Sequence, residues 1–351
     1  MTEHELDAQE TRALAAAVRA GDERAFTALC SLYRKQLRVH CYRMLGSFDE
    51  AEDMVQETLL RAWRGRDGFE GRSLVRTWLY RIATNVCLNA LERTPRRVLP
   101  HDVAPAVTAA TPASEARSSP SWAPELPWLQ PFPDSSLELA APEASRPDAA
   151  IVSRETIELA YLAALQHLPP RQRATLILAD VLGWSAKEIA ELLEVTVATV
   201  TSALQRAHLS MREHLPADRD QPLAASLSEA ERTALASFMQ AWEGGDASVL
   251  TALLREDARW TMPPAPLWFD GRASIERMLQ LYPPRWRGRE LKMLPVGANR
   301  QPAAAAYLRL QGEREYRFSG VHLLRVVNGQ LVEITTFSPE LCRGFGLPAT
   351  L

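Results

Sequence analysis

One stretch of the sequence repeats side chains suited to nucleic-acid recognition about every four residues. In "RSLVRTWLYRIATNVCLNALER", helical periodicity predicts a buried seam of Val75, Trp78, Leu79, Ile82, Val86 and Ala90. The other helix face carries Arg76, Arg81, Thr84, Asn85, Asn89 and Arg93. Arginine and asparagine can hydrogen-bond to base edges and phosphates. Asparagine is a poor choice inside a helix, so the whole set suits a binding face. For Asn85 or Asn89 taken alone, simple surface polarity is the favoured interpretation.

A second polar set follows two short predicted helices in "GWSAKEIAELLEVTVATVTSALQRA", residues 183–207. Ser185 and Glu188 form a capping box for the first helix, and Thr196 caps the second. This pattern is typical of a helix-turn-helix, whose second helix enters the DNA major groove. With Val197, Val200 and Leu204 as the predicted seam, the projecting side chains are Thr196, Thr199, Thr201, Ser202, Gln205 and Arg206. Glutamine can read adenine, and threonine or serine can contact phosphates or a thymine methyl group.

An acidic helix lies in "SFDEAEDMVQETLLRAW". Its apolar stripe is Ala51, Val55, Leu59 and Ala62 with Trp63, and acidic residues crowd the remaining faces. For an arbitrary helix, a solvated acidic surface is the simpler interpretation. The alternative is a docking face for a basic protein partner.

The last third of the chain contains candidates for acid–base chemistry or ligand binding. Asp270 and His322 are the titratable candidates, and the aromatic lining would come from Trp260, Trp268, Phe269 and Tyr307 with Met262. The simpler interpretation is that these aromatic residues form a packed core and that Asp270 is a turn residue before Gly271. Because the sequence pattern does not indicate a carboxylate–histidine pair, we expect no catalytic residue here.

Composition changes divide these motifs among three folded blocks. Residues 9–97 and 151–216 are almost continuously helical in pattern, and residues 98–150 form a linker rich in Pro, Ala and Ser. Residues 226–345 begin with a helix capped by Ser228 and Glu231, and then alternate as strands. Asn328-Gly329 between two such strands predicts a hairpin. We therefore expect two all-α domains and an α+β domain.

Overall composition fits a multidomain globular protein and gives little sign of nucleic-acid binding. The chain has 351 residues and a net charge of −3, but residues 61–97 contain nine arginines and only three acids. The four cysteines show no metal-ligand spacing, so we expect no metal, no cofactor and a reducing, cytoplasmic setting. No segment reads as a signal peptide or membrane span, and we expect no membrane partner.

The motifs together resemble a known family. "AEDMVQETLLRAW", "RTWLYRIATNVCLNALER" and "LQHLPPRQRATLILADVLGWSAKEIAELLEVTVATVTSALQRA" are similar, in this order, to regions 2 and 4 of extracytoplasmic-function sigma factors. The resemblance implies a dissociable specificity subunit of RNA polymerase that binds core enzyme and promoter DNA. In "LPPRQR", the family's arginines can also meet phosphates.

The resemblance also implies roles for individual residues. Asp53, Gln56 and Glu57 would dock on the β′ clamp helices, and the β flap is a further polymerase contact. The −10 element would be read and melted by Arg64, Arg66, Phe69, Arg72, Arg81, Asn85, Asn89 and Arg93, with the loop 64–72 as a pocket for a flipped base. The recognition helix, with Thr196, Thr199, Thr201, Ser202, Gln205 and Arg206, would address the −35 element.

The third block resembles a SnoaL-like cone-fold domain in its element order and its "WFDGR" turn. Some sigma factors carry this domain, and "PWLQPFPD" in the linker is similar to their signature. The resemblance implies regulation of the sigma regions in cis, with the pocket set Trp260, Trp268, Asp270, Tyr307 and His322 open to a small-molecule ligand.

Two other functions stay open at this point. One is isomerase or hydrolase activity in the third block. The other is a plain DNA-binding regulator that never joins polymerase. The acidic face in residues 47–63 favours the polymerase subunit, because a repressor does not need it.

Overall fold

The computed structural model describes residues 14, 16–68, 75–93, 96–111, 126–138, 156–216, 226–281 and 289–351. They form two compact units: Met1–Arg96 with Ser136–Pro216, and Arg97–Ser135 with Ala217–Leu351. Within the described ranges, no helix is both long and apolar enough to cross a membrane.

The first unit is helical. Its helices are α1 (Glu23–Leu45), α2 (Phe48–Arg64), α3 (Val75–Leu91), α4 (Leu159–Gln166), α5 (Pro170–Leu176), α6 (Ala186–Leu193) and α7 (Val197–His214), with short turns at Arg66–Gly68 and Ile177–Val181. Helices α1, α2 and α3 pack on one another, and α5 packs against both α3 and α7. Asp22 caps α1 and Gly46 ends it in a left-handed conformation, which places α2 immediately afterwards.

The second unit is α+β. Its helices are α8 (Glu229–Gly244), α9 (Ala247–Ala252) and α10 (Arg272–Leu281), and its strands are β1 (Leu254–Thr261), β2 (Trp268–Asp270), β3 (Arg289–Ala298), β4 (Gln301–Leu310), β5 (Arg317–Val327) and β6 (Gln330–Phe337). Short turns lie at Pro339–Leu341 and Arg343–Phe345. The six strands form one sheet in the order β2-β1-β6-β5-β4-β3. One face of the sheet packs on Phe238 of α8 and Ile275 of α10.

Several local predictions are confirmed. The capping boxes Ser185/Glu188 and Ser228/Glu231 are both present. Asn328 and Gly329, with positive φ, form the two-residue turn between β5 and β6. The two all-α regions and the α+β domain are as expected from the periodicity.

The Pro-rich segment contacts the sheet in its described parts. Val107 lies beside the edge strand β2, where its N–H donates to the Trp268 carbonyl at 2.9 Å and its carbonyl accepts from Asp270. Residues 126–135, followed by a short helical turn at Ser135–Glu138, run to the β3–β4 turn, and another single helical turn lies at Pro100–Val103. Both described parts of the segment, residues 98–111 and 126–135, therefore pack on the α+β unit.

Candidate nucleic-acid interface

Helix α3 presents a polar stripe to solvent. Arg81, Asn85, Asn89 and Arg93 are all exposed, and their spacing of four residues aligns them on one face of the helix and its C-terminal end. Thr84, which we predicted on this face, is instead fully buried, and its hydroxyl lies 2.9 Å from His40 Nε2. Tyr80, Ala83 and Cys87 share the buried side with it, because α1 and α2 both pack on α3 and widen the buried surface.

The turn after α2 holds only part of the predicted base pocket. Arg64 is exposed, whereas the guanidinium of Arg66 lies 4.3 Å from the centre of the Trp63 ring and donates to the Trp63 carbonyl at 2.8 Å. Arg66 is therefore already engaged within the turn. Phe69 and Arg72 lie outside the described residues.

The helix-turn-helix consists of α6 and α7. Glu194, in a left-handed conformation, ends α6, and the Thr196 hydroxyl accepts the Thr199 N–H at 3.1 Å to cap α7. The buried side of α7 is Val200, Ala203, Ala207 and Met211. The predicted seam was wrong at its first position, because Val197 is 47% exposed.

All six predicted −35 residues of α7 and its cap are exposed. The hydroxyls of Thr196 and Thr201 also bond locally, Thr201 donating to the Val197 carbonyl at 3.1 Å. The centre of the exposed face is Ala198, Ser202, Gln205 and Leu209, with Leu209 59% exposed. Sequence reasoning missed Leu209. This residue follows the buried Val200 by nine positions, which places it half a helical turn away, on the side opposite the buried one.

Arg173 of "LPPRQR" is not positioned to meet a phosphate. It is 2% exposed and donates to the Gln166 side chain at 2.8 Å and to the Leu168 carbonyl at 3.2 Å. Burial lowers the pKa of its guanidinium to about 10, with a further lowering from Arg96. Arg171, two residues earlier, is the exposed arginine of this motif.

The acidic face of α2 has an apolar centre. Asp53 and Gln56 are exposed, and Glu57 pairs with Arg61 at 2.6 Å. Leu60, on the same helix face as these three residues, is 51% exposed. Sequence reasoning missed Leu60 because it follows the buried Leu59 within an apolar pair, yet its helical phase matches that of Gln56 and Asp53.

The β3–β4 turn binds the Pro-rich segment through reciprocal hydrogen bonds. Phe132 N–H donates to Asn299 Oδ1 at 2.8 Å, and Asn299 N–H donates to the Phe132 carbonyl at 2.8 Å. Asp134 accepts from Arg300 N–H at 2.8 Å, and its own N–H donates to Gly297. A side chain at Gly297 would meet Asp134 at 2.7 Å, so this close approach requires glycine. We call these four residues and Phe132 the linker clasp.

The five predicted pocket residues do not converge. Trp260 and His322 lie together on the core face of the sheet, their ring centres 6.5 Å apart, with Phe238 and Trp242 around the imidazole. Asp270 is exposed on β2, three strand spacings or about 14 Å from β5. Trp268 donates to the Ala104 carbonyl at 2.8 Å, and Tyr307 donates to the Pro348 carbonyl at 3.1 Å.

His322 is a neutral core group. The Trp260 indole N–H donates to Thr336 Oγ1 at 2.9 Å, and Thr336 Oγ1 lies 2.9 Å from His322 Nδ1. Burial lowers the pKa of His322 to about 4. A histidine with this pKa, without Asp270 beside it, packs as an apolar ring and hydrogen-bonds to Thr336.

Acidification should therefore destabilise the α+β unit. Below about pH 6.5 the unfolded state protonates His322, whereas the folded state stays neutral until about pH 4. Stability is thus fully present above pH 6.5 and falls by roughly 3 kcal/mol as the pH drops to 4. Urea unfolding followed by tryptophan fluorescence checks this. His322→Asn should reduce the pH dependence and leave the contribution of the buried His40, whose pKa burial lowers to about 3. His208→Asn, at an exposed site, is the control; an equally flat profile for both variants would contradict the assignment.

Models of three families match the chain: sigma-70 region 2 at residues 29–97, sigma-70 region 4 at residues 158–211 and the SnoaL-like domain at residues 235–334. The ECF RNA polymerase sigma factor SigG of Mycobacterium tuberculosis H37Rv is 38% identical over 335 residues, which cover 95% of this chain and 86% of that protein. The ECF sigma factor SigW of Bacillus subtilis is 31% identical over 198 residues, 56% of this chain and 92% of that protein.

A solved structure shares the fold across both units. The crystal structure of the Mycobacterium tuberculosis extracytoplasmic-function sigma factor SigJ aligns with a TM-score of 0.57 at 21% identity, covering 92% of this chain and 99% of that one. At this identity the match supports the fold. The identity with SigG over 95% of this chain shows that the chain belongs to the extracytoplasmic-function sigma factors of RNA polymerase.

Proposed function

We propose that the acidic face of α2 is the main docking surface of this sigma factor for the β′ clamp helices of core polymerase. The observation that carries this assignment is Leu60, a half-exposed apolar side chain among Asp53, Gln56 and Glu57. An apolar centre with a polar rim is the usual anatomy of a protein interface, and the acids select a basic partner. The β flap would bind the region 4 helices.

We propose that promoter DNA is read by two separate helices. The α3 stripe, with Arg64 before it, addresses the −10 element: Asn85 and Asn89 face base edges, and Arg81 and Arg93 face phosphates. The exposed face of α7 addresses the −35 element. Gln205 lies at its centre and can bond an adenine edge, whereas Arg206 on its flank is suited to a phosphate.

Run-off transcription tests this function. The full-length chain, core polymerase and a DNA library randomised at the −35 and −10 elements are combined, and the transcribed templates are sequenced. Wild-type protein should enrich one sequence class at each element. Enrichment at neither element would contradict the proposed DNA contacts.

Two substitutions in α7 should have different effects in this assay. Gln205→Ala should relax the base preference at one −35 position by about 10- to 100-fold, because each bidentate contact contributes about 1–3 kcal/mol to discrimination. Arg206→Ala should weaken DNA binding for all sequences and reduce the salt slope by about one. Gln240→Ala, an exposed glutamine of α8, is the control. An unchanged preference with Gln205→Ala would remove this residue from the reading face.

We also propose that the SnoaL-like domain regulates the sigma regions in cis by binding the linker between them. The linker clasp and the Val107 pairing with β2 support this, because both hold linker residues on the α+β unit. Residues fixed at two places cannot span a variable distance, so the C-terminal domain limits how far region 2 and region 4 can separate.

A further inference from the structure

The first half of α7 and its cap carry no charge. Residues 196–204 have the sequence TVATVTSAL, and the first charged side chain of the helix is Arg206. In a helix-turn-helix, the N-terminal residues of the second helix contact the base edges. The exposed uncharged side chains of this half therefore decide which bases it can read, and phosphate contacts through charged side chains fall to other positions.

The threonines of this half use their hydroxyl groups locally. Thr201 Oγ1 donates to the Val197 carbonyl at 3.1 Å. Thr196 Oγ1 accepts from Thr199 N–H at 3.1 Å and lies 2.9 Å from the hydroxyl of Thr199. These bonds turn the hydroxyls toward the helix backbone and toward each other. The methyl groups are therefore the larger part of what these side chains offer to a base.

Val197, Ala198 and Thr201 form a continuous apolar surface, which we call the methyl patch. Thr201 follows Val197 by four positions and Ala198 by three, so both are its neighbours on the helix surface. Val197 is 47% exposed, and the other two residues are exposed as well. The methyl patch thus lies on the side of α7 that the core leaves open.

Thymine is the base that offers this patch a matching group. Among the base edges of the major groove, thymine alone presents a methyl group, and apolar side chains contact it. The edges of guanine, cytosine and adenine present hydrogen-bond donors and acceptors, which lose their water against an apolar surface without gaining a partner. The methyl patch therefore favours thymine over the other three bases.

We infer that the methyl patch is a thymine-reading subsite: it contacts the 5-methyl group of one or two thymines in the −35 element. The inference rests on the proposed assignment of α7 to that element, and it adds which base the first half of the helix selects. The contribution of this subsite is independent of salt, because burial of methyl groups releases no counterions from the DNA.

Replacing thymine by uracil tests the inference, since uracil pairs identically and lacks only the 5-methyl group. Full-length protein is assembled with core polymerase, and the promoter enriched in the run-off assay is prepared with uracil at one −35 thymine at a time. At one or two positions the affinity should fall about fourfold, which corresponds to about 0.8 kcal/mol for one methyl group. The ratio should be the same at two salt concentrations. Uracil at thymines between the two elements is the control and should have no effect.

Val197→Ala should abolish most of this difference, so that thymine and uracil promoters bind within less than twofold of each other. Alanine has a higher helix propensity than valine, so the variant keeps α7. Thr201→Ser, which removes the methyl group and keeps the hydroxyl, should act in the same direction. Val249→Ala, at a 44% exposed valine of α9, is the matched control and should retain the fourfold loss.

The outcomes separate this subsite from the function on which it rests. An enriched −35 element without thymine overturns the inference, and so does an element at which uracil has no effect. Val197→Ala that weakens binding of core polymerase and leaves the uracil effect intact overturns it as well, because the methyl patch would then contact the polymerase. In these three cases α7 still selects its element. Loss of all selection at the −35 element would instead contradict the proposed function.

Discussion

Replacing Asp53 and Glu57 by arginine should weaken binding to core RNA polymerase at least about 100-fold, which is roughly 3 kcal/mol. Both side chains lie on the solvent face of α2, so their removal does not disturb the packed stripe beneath. Like charges placed opposite a basic partner cost several kcal/mol at an interface, more than the loss of an attractive pair alone. Glu57 pairs only with the exposed Arg61 among the ion pairs described, and such a surface pair contributes little to stability.

The measurement is a binding titration of labelled full-length protein with core polymerase at two salt concentrations. The defect should shrink at high salt, because screening weakens charge–charge repulsion. Glu276→Arg with Glu315→Arg, at two exposed positions of the α+β unit, makes the same change in net charge away from the α2 face and from the region 4 helices. If this control loses affinity equally, the effect is one of net charge and the docking assignment is wrong.

Leu60→Ala separates the apolar contribution from the electrostatic one at the same face. Its effect should be smaller and independent of salt, because burial of a leucine on association is an apolar term. The two kinds of variant together distinguish a docking surface from an acidic surface that only steers encounter.

Local signals in the sequence predicted much of this fold. The capping pair Ser185/Glu188 and the turn pair Asn328/Gly329 act over three residues or fewer, and the local and global structure agree at both places. Strand β3 was not predicted, because Pro295 and Gly297 interrupt its pattern. Both residues are tolerated there because β3 is the edge of the sheet.

Long-range packing explains what the sequence left undetermined. Thr84 is polar in the pattern but buried in the structure, because His40 on another helix supplies its partner. From the sequence alone, Arg173 would likewise be interpreted as a surface cation. In the structure, α1 lies beside it and the Met44 carbonyl accepts one of its hydrogen bonds. The candidate DNA-reading stripes could be predicted because exposed faces follow from helical phase alone. Contacts between elements far apart in the chain could not.

The linker clasp shows this difference most clearly. Trp128 and Phe132 are too apolar for a solvated spacer, and the structure places both in buried positions. Their site could not be predicted, since the partner of Phe132 is Asn299, 167 positions along the chain. Asn299 has φ of 53° and is fully buried, so the turn itself is shaped to accept the linker backbone.

Asn299→Gly should therefore release the linker and raise promoter-directed transcription several-fold. Glycine adopts the positive φ without strain, so the substitution removes the Oδ1 acceptor while keeping the backbone of the turn. Losing the partner of the buried Phe132 N–H costs about 1–3 kcal/mol. Amide hydrogen exchange in residues 126–138 should therefore accelerate by about 10- to 100-fold, because the free energy of local opening falls by the same 1–3 kcal/mol. Gly297→Ala should act in the same direction by displacing Asp134.

The matched control is Asn328→Gly, the same substitution at another residue with positive φ, in a turn outside the linker clasp. It should leave exchange in residues 126–138 and transcription unchanged. Faster exchange with unchanged transcription would show that the C-terminal domain binds the linker without regulating the sigma regions. If Asn299→Gly instead lowered transcription, the clasp would be a support that orients the linker for polymerase, and the proposed regulation in cis would be wrong.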